Sequence, residues 1–446
     1  MVSVEDPHSP GPPRGIMRRP LSCAGALYLV VMTACGRDVT FVDPRAATEP
    51  GDTTNGGGQQ TVVRGNLHIS VTVAAEDTAI AGALGLGGPG LPGAAVTVRR
   101  VGVGSYQGLT DSAGQVRFEG LVTGRWTVSA VRVLTPEERA ALSAGAEDVT
   151  GFAAGGPATV EEAGTAVEMP AYAGRGGTVV ISEVFPPDPP TAGNSYDTGG
   201  YIELANNGYE TIYLDRMILG FTYHGLWESN VATCEETSVW REDSLGVWAR
   251  FFASFPGRGT DYPLSPGTAV VIATDAIDHR QYVPSLLDLS GADFEFIGSA
   301  DVDNPAVPNM INTGLAEWSS AVGHGLKFPF IALYIFVAEE LDPDTLVSDI
   351  AIPNWEHVRI PRAAVLDVFT SWVTPENQAR LPAVPCSGIT HSVFDRQAAE
   401  LYDYRQLLGI RRRALQTLGD GRVLLQRTRS SYADFETAPP TPGRVP

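Results

Sequence analysis

The sequence predicts an all-β protein made of two β-sandwich domains, the second large, with long insertions and only minor helix. Three observations predict it. Short segments alternate apolar and polar residues with the period of a half-buried strand, as in Leu67-His68-Ile69-Ser70-Val71-Thr72-Val73. Glycine-bearing turn clusters separate such segments at intervals of roughly 10 residues, the spacing of a sandwich. The 446 residues include 49 glycines and 33 prolines, which favour turns over long helices. With 43% hydrophobic residues, the chain has apolar material for a core, and wholesale disorder is excluded.

The N-terminus reads as an address. Residues 24–34 (AGALYLVVMTA) are apolar, follow Arg14, Arg18 and Arg19, and end at Cys35. Such a run is too short to span a bilayer of roughly 30 Å as a helix. A basic segment, a short apolar segment and small residues before a cleavage point describe a secretory signal. Met32-Thr33-Ala34-Cys35 resembles the bacterial lipobox, which implies a signal over residues 1–34 and lipidation of Cys35 as the new N-terminus. Gly36 in place of an aspartate favours the outer membrane by the same resemblance. Residues 35–64, polar and rich in Gly and Thr, read as a flexible tether.

The first folded unit is expected over residues 65–173. Ala95–Val98 repeats the strand alternation after the turn cluster Gly90-Leu91-Pro92-Gly93. Asp111-Ser112-Ala113-Gly114 reads as a tight hairpin turn, with Asp111 bonding the backbone ahead and Gly114 supplying positive φ. Gly124–Ala130 makes a further strand, and Gly82–Gly90 is expected to lengthen a loop. Thr135-Pro136-Glu137-Glu138 has the cap, proline and acids of a short helix start. The run PGAAVTV…TDSAGQVRFEGLVTGRWTVSA resembles carboxypeptidase-regulatory-like, prealbumin-type modules of bacterial surface proteins, which implies a spacer or interaction module without catalytic residues. His68 is expected at the surface.

The second unit is expected over residues 176–446. VVISEVF (179–185), YIELANNG (201–208), IYLDRMILG (212–220), LSPGTAVVIA (264–273) and a terminal LLQR…DF…PTPG occur in that order. They resemble the lamin-tail domain, an Ig-like sandwich. YIELANNGYETIYLD and RRRAL…GRVLLQRTRSSYADF resemble more closely a group of outer-surface lipoproteins of Bacteroidetes type, of unknown function. That resemblance implies fold and location and carries no catalytic residues. Glu203 is expected to face solvent or to cap the turn Asn206-Asn207-Gly208, itself read as a positive-φ turn. Residues 322–337 read as a buried strand.

Chemistry-bearing patterns are few. Cys234 and Cys386 form an even pair in an oxidising compartment, so a disulfide is expected. The histidines show no HExxH or HxH spacing. No GxSxG elbow, phosphate-binding loop or dinucleotide fingerprint is present, so no catalytic residue and no cofactor is assigned and the chain is expected not to be an enzyme. No metal site is expected; Asp301, Asp303 and Asn304 form a weak calcium candidate that lacks the following Gly and distal Glu of an EF-hand. Trp227, Trp240 and Trp248 would stack a sugar if exposed, although core packing is the default. A net charge of -20 disfavours nucleic acid and anionic lipid as general partners.

Together these readings describe a lipid-anchored envelope protein acting as a binding or assembly module. Its expected partner is an outer-membrane transporter or another surface protein. Capture of a carbohydrate or nutrient, and hydrolysis at an unrecognised site, are the alternatives.

Overall fold

The computed structural model describes residues 62–86, 88–142, 146, 148–177, 179–186, 198–225, 238–249, 251–296, 303–313, 330–341, 346–352, 355–373, 390–401 and 407–445. Strand accounts for 49% of the structure and helix for 8%, so the protein is all-β.

Seven strands make the first sheet: β1 (Arg64–Val73), β2 (Ala95–Arg100), β3 (Gly104–Leu109), β4 (Gln115–Val122), β5 (Gly124–Val133), β6 (Val149–Val160) and β7 (Thr165–Arg175). Their order is β3-β2-β5-β6-β7-β1-β4, and every pair is antiparallel except β1 with β7. In β1 the expected alternation holds, with Leu67, Ile69 and Val71 fully buried and His68 exposed. These residues join Val96, Val98, Trp126, Val128 and Phe152 in one core.

Local chemistry explains the turns. Asp111 accepts from the N–H of Ala113 at 2.8 Å and of Gln115 at 2.9 Å, and Gly114 sits at φ +78°. The turn is as expected, but its strands are not a hairpin pair. β3 and β4 lie at opposite ends of the sheet order, because β3 finds its partner in β2 and β4 in β1. Part of the segment expected to be loop, near Gly82–Gly90, is helical, as α1 (Thr78–Ala83). The helix α2 (Pro136–Ala140) starts as the sequence indicates: Thr135 and Glu138 form a reciprocal capping box.

Two six-stranded sheets follow. In one, the order is Phe294–Glu295, Ala269–Ala273, β9 (Tyr201–Asn206), β8 (Val179–Phe185), Gly409–Arg412 and Phe435–Ala438. The other runs Ile311–Asn312, Phe251–Ser254, Ile218–Gly225, Phe330–Ala338, Val365–Val373 and Ala399–Leu401. Their facing sides share a core that includes Ile181, Ile202, Leu204, Phe251, Phe255, Val337 and Phe369. The apolar run at 322–337 yields a strand from Phe330, with buried Ile335, Phe336 and Val337; residues 322–329 lie outside the described residues. A three-stranded sheet, Gly246–Ala249, Trp355–Pro361 and Val347–Ile352, packs beside this layer.

In β8 and β9 every residue is buried. Each strand is covered on both sides: Ile181 and Leu204 face the shared core, while Val180 and Ala205 pack on Leu425. Strands closed on both faces cannot leave a glutamate in water, which overturns the expectation of a solvent-facing Glu203.

The first sheet meets this sandwich at a tight seam. Gly155 of β6 backs onto the helical turn Ser431–Asp434, and a Cβ there would lie 2.7 Å from the Ala433 Cα. Only glycine permits that approach. Gly155→Val is expected to lower stability by about 2–3 kcal/mol, the upper range for overpacking against backbone, as read from the midpoint of denaturant unfolding; an unchanged midpoint would refute the close contact.

Candidate functional site

Three polar assemblies lie in and beside the sandwich. The first is a carboxylate pair. A bulge in β8 sets both Ser182 and Glu183 opposite Glu203 of β9. Ser182 Oγ donates to Glu203 Oε1 at 2.7 Å, and the Gly443 N–H donates to Glu203 Oε2 at 2.7 Å. Glu183 accepts from the N–H and the hydroxyl of Thr441, each at 3.2 Å. Burial pushes Glu203 up to about 7, with the neighbouring Glu183 charge adding to it, and burial raises Glu183 as well. Both glutamates are fully buried. The motifs ISEV, YIELANNG and PTPG therefore meet in space, and the two acids fasten the C-terminal segment across β8 and β9.

The expected positive-φ turn at Asn206-Asn207-Gly208 is not formed; none of the three has positive φ. Asn207 instead imitates a peptide group, donating to Leu425 O at 3.0 Å and accepting from the Leu425 N–H at 2.7 Å. Asn206 Nδ2 donates to the carbonyls of Glu210 and Leu264, both at 2.8 Å. Asp215, in the IYLD motif, accepts three backbone N–H groups, from Gly259, Asp261 and Tyr262. Partial burial opposes ionisation, but those three donors prevail and hold its carboxyl at about 2.

The second assembly surrounds Arg412, which is 1% exposed. Its Nε donates to Ile181 O at 2.7 Å and its NH1 to Gln426 O at 2.9 Å. Asp367 and Asp434 pair with it at 2.5 and 3.5 Å, and its plane lies over Phe435 at 4.3 Å. Close by, Asp395 accepts from the hydroxyls of Thr370 and Ser431, both at 2.5 Å, and burial pushes its carboxyl up to about 6.

The third assembly is basic and sits at the seam. The Arg175 N–H, at the end of β7, donates to Arg427 O at 3.1 Å, and the Arg396 N–H donates to Arg429 O at 2.8 Å. These backbone bonds bring the main chains of four arginines together, and the charge of Arg362 is felt at Arg429. Tyr172 of β7 supports the Arg396 guanidinium at 4.3 Å. Three members have carboxylate partners: Arg175 with Asp148 at 2.6 Å, Arg427 with Asp367 at 3.6 Å, and Arg396 with Glu76. Among the described residues, Arg362 and Arg429 have none. Arg429 is exposed and takes φ +59°. Burial of its inner part and the charges of Arg427, Arg396, Arg362 and Arg175 pull it below arginine's usual range.

Elsewhere at the seam Arg125 pairs with Glu400. A cavity of about 50 Å³ lined by Arg99, Thr127, Glu400, Arg413, Tyr432 and Glu436 has room for a few waters. Arg413 is already paired there with Glu436 at 2.8 Å.

Of the candidate site residues singled out in the sequence, Trp240, Trp248, Asp303 and Asn304 fall among the described residues. Cys35, Cys234, Cys386, Trp227 and Asp301 lie outside the described residues. Trp240 and Trp248 are buried and pack on each other. Trp240 contacts His357 at 4.5 Å, and Trp248 donates to Asp243 at 2.9 Å. These two rings are core, so neither offers a face to a sugar. Asp303 accepts from Asn309 at 2.8 Å. Asn304 spends its amide on the carbonyls of Ala276 and Ser290, and its oxygen accepts from the Ala306 N–H. Among the described residues, no group of three or more His, Cys, Asp or Glu could hold a metal. The basic assembly went unseen because its members are scattered from 175 to 429; only Arg427-Thr428-Arg429 is a local signal.

No curated protein matches the chain. Two solved structures resemble it. One is a DUF4876 family protein from Bacteroides thetaiotaomicron, 18% identical, with 85% of this chain and 95% of that chain covered and a TM-score of 0.45. The other, from Bacteroides uniformis, is described as a proposed carbohydrate binding protein; it is 10% identical, with 68% and 97% covered and a TM-score of 0.15. In the chain itself, residues 265–441 match the family described as protein of unknown function (DUF4876).

Proposed function

We propose that the chain is an exported, lipid-anchored envelope protein that works by binding, as an assembly module for an outer-membrane transporter or another surface protein. In this reading Cys35 carries the lipid and residues 35–64 hold the folded part away from the membrane. The prealbumin-like and lamin-tail-like modules then act together as the binding body.

The single observation that carries the reading is the seam. The first sheet is fastened to the sandwich by the Arg125–Glu400 and Arg396–Glu76 ion pairs, the Arg175-to-Arg427 backbone bond and the Gly155–Ala433 packing. Two β regions joined in this way present fixed surfaces, which suits assembly more than a reaction needing closure around substrate. The acidic groups that would attract a catalytic reading are occupied in holding the fold.

The anchoring half of the proposal is tested with Cys35→Ser. The variant is expected to move from the membrane to the soluble fraction with its folding unchanged by circular dichroism. Unchanged membrane partitioning would refute lipidation at that residue.

A further inference from the structure

We infer that the cavity at the seam is a binding site for a small monocarboxylate of the formate or acetate type. It lies where both sandwich sheets end: Ala399–Leu401 is the last strand of one, and Phe435–Ala438 is the last strand of the other. Its floor, made by Ala399, Ile410 and Phe435, belongs to the shared core. Its roof is the first sheet, where Arg99 of β2 stands opposite Thr127 of β5. Val98, Trp126 and Val128 face that sheet's own core, so strand alternation turns Arg99 and Thr127 to the other side, toward the sandwich. Arg413 completes the lining from the sandwich side.

The charges around the cavity favour an anion. Glu400 is held by Arg125, and Glu436 by Arg413 at 2.8 Å and Arg411 at 3.7 Å. Arg99 is exposed, at the rim, and has no carboxylate partner among the described residues. Arg413 Nε is buried and has no hydrogen-bond partner among the described residues, a condition that buried donors in folded proteins rarely keep. Burial, and then the charge of Arg99, pull Arg413 below arginine's usual range against the opposing effect of Glu436. A carboxylate between Arg99 and Arg413 answers both cations, because its planar oxygens match a guanidinium fork and the partly desolvated setting strengthens each bond. A volume of about 50 Å³ admits about four non-hydrogen atoms, too few for a sugar or a nucleotide. The apolar floor suits the hydrogen or methyl group behind the carboxylate. This site goes beyond the assembly reading and does not depend on it.

The test uses the full chain carrying Cys35→Ser, so that no anchor contributes, and titrates sodium acetate and sodium formate by calorimetry at constant ionic strength. Saturable binding at one site per chain is expected in the millimolar range, the scale open to so small a ligand. Benzoate, too large for the cavity, and methylammonium, of the wrong charge, should give no saturable heat. Arg99→Ala should raise the dissociation constant by about tenfold or more, the scale of losing one charge-assisted pair. Position 99 is exposed, so the unfolding midpoint of that variant without ligand should equal the parent's. Acetate should raise the midpoint of the parent and not that of the variant. Arg117→Ala, which removes an exposed arginine of β4 outside the cavity lining, should bind as the parent does. Absence of saturable heat with both acetate and formate, equal binding of benzoate, an affinity unchanged in Arg99→Ala, or a loss shared by Arg117→Ala would overturn the inference.

Discussion

Replacing Arg412 with leucine is expected to lower stability by about 3–5 kcal/mol, the loss typical when one partner of a buried ion pair is removed. Asp367 and Asp434, 6% and 2% exposed, would remain in the core without their shared cation, and Ile181 O and Gln426 O would lose their donor. Burial already raises the Asp434 carboxyl, and loss of the guanidinium drives it further up. An acid whose folded pKa lies above its unfolded value stabilises at low pH, and that contribution is lost as pH rises. The deficit of the variant should therefore be smaller at about pH 5 than at about pH 8. Urea unfolding of Arg412→Leu at both values measures it. Adding Asp434→Asn should return part of the loss, since the two positions are coupled. A deficit under about 1 kcal/mol at both values would show that the node is not a buried charge network.

The second large effect concerns Glu203. Its folded value of about 7 exceeds the ordinary 4.5, so the native state holds a proton that the unfolded chain releases. The corresponding stability is fully present below about pH 4.5, declines as pH rises between the two values, and is gone above about pH 7; the difference amounts to about 3 kcal/mol. Glu183 acts in the same direction. Glu203→Gln keeps the geometry, with its oxygen facing the Gly443 N–H and its amide facing Ser182, and should flatten the fall in unfolding free energy across that window. Limited proteolysis should also show the C-terminal segment released more readily at about pH 8 in the parent than in the variant. Identical pH profiles would exclude Glu203 as the titrating group.

Which features were legible follows from how far their causes lie along the chain. The β1 alternation, the capping box at Thr135 and the Asp111 turn each depend on a few adjacent residues, and each forms as the sequence indicates. The strand at Phe330–Ala338 was legible because its apolar run is continuous. The burial of Glu203 was not, since its cover arrives with Gly443, 240 residues later. The pairing of Asn207 with Leu425 is likewise a contact across 218 residues. The strands flanking Asp111–Gly114 look like a hairpin locally, yet the order of the whole sheet sends them to opposite ends. Trp240 and Trp248 fit either a core or a stacking surface by composition; only the packing of the Trp355–Pro361 strand beside them decides for the core. Arg175, Arg396, Arg427 and Arg429 each look like ordinary surface residues until backbone bonds at the seam bring their main chains together.

The claim that the two β regions form one envelope-anchored binding body is tested most directly by crosslinking intact envelopes and recovering the native chain with its neighbours, in parallel with Gly155→Val. The account predicts that the parent brings down an envelope component in a fixed ratio and that Gly155→Val, expressed and membrane-bound to the same level, loses it. Recovery of the chain alone, or the same yield of that component from the seam variant, would contradict it.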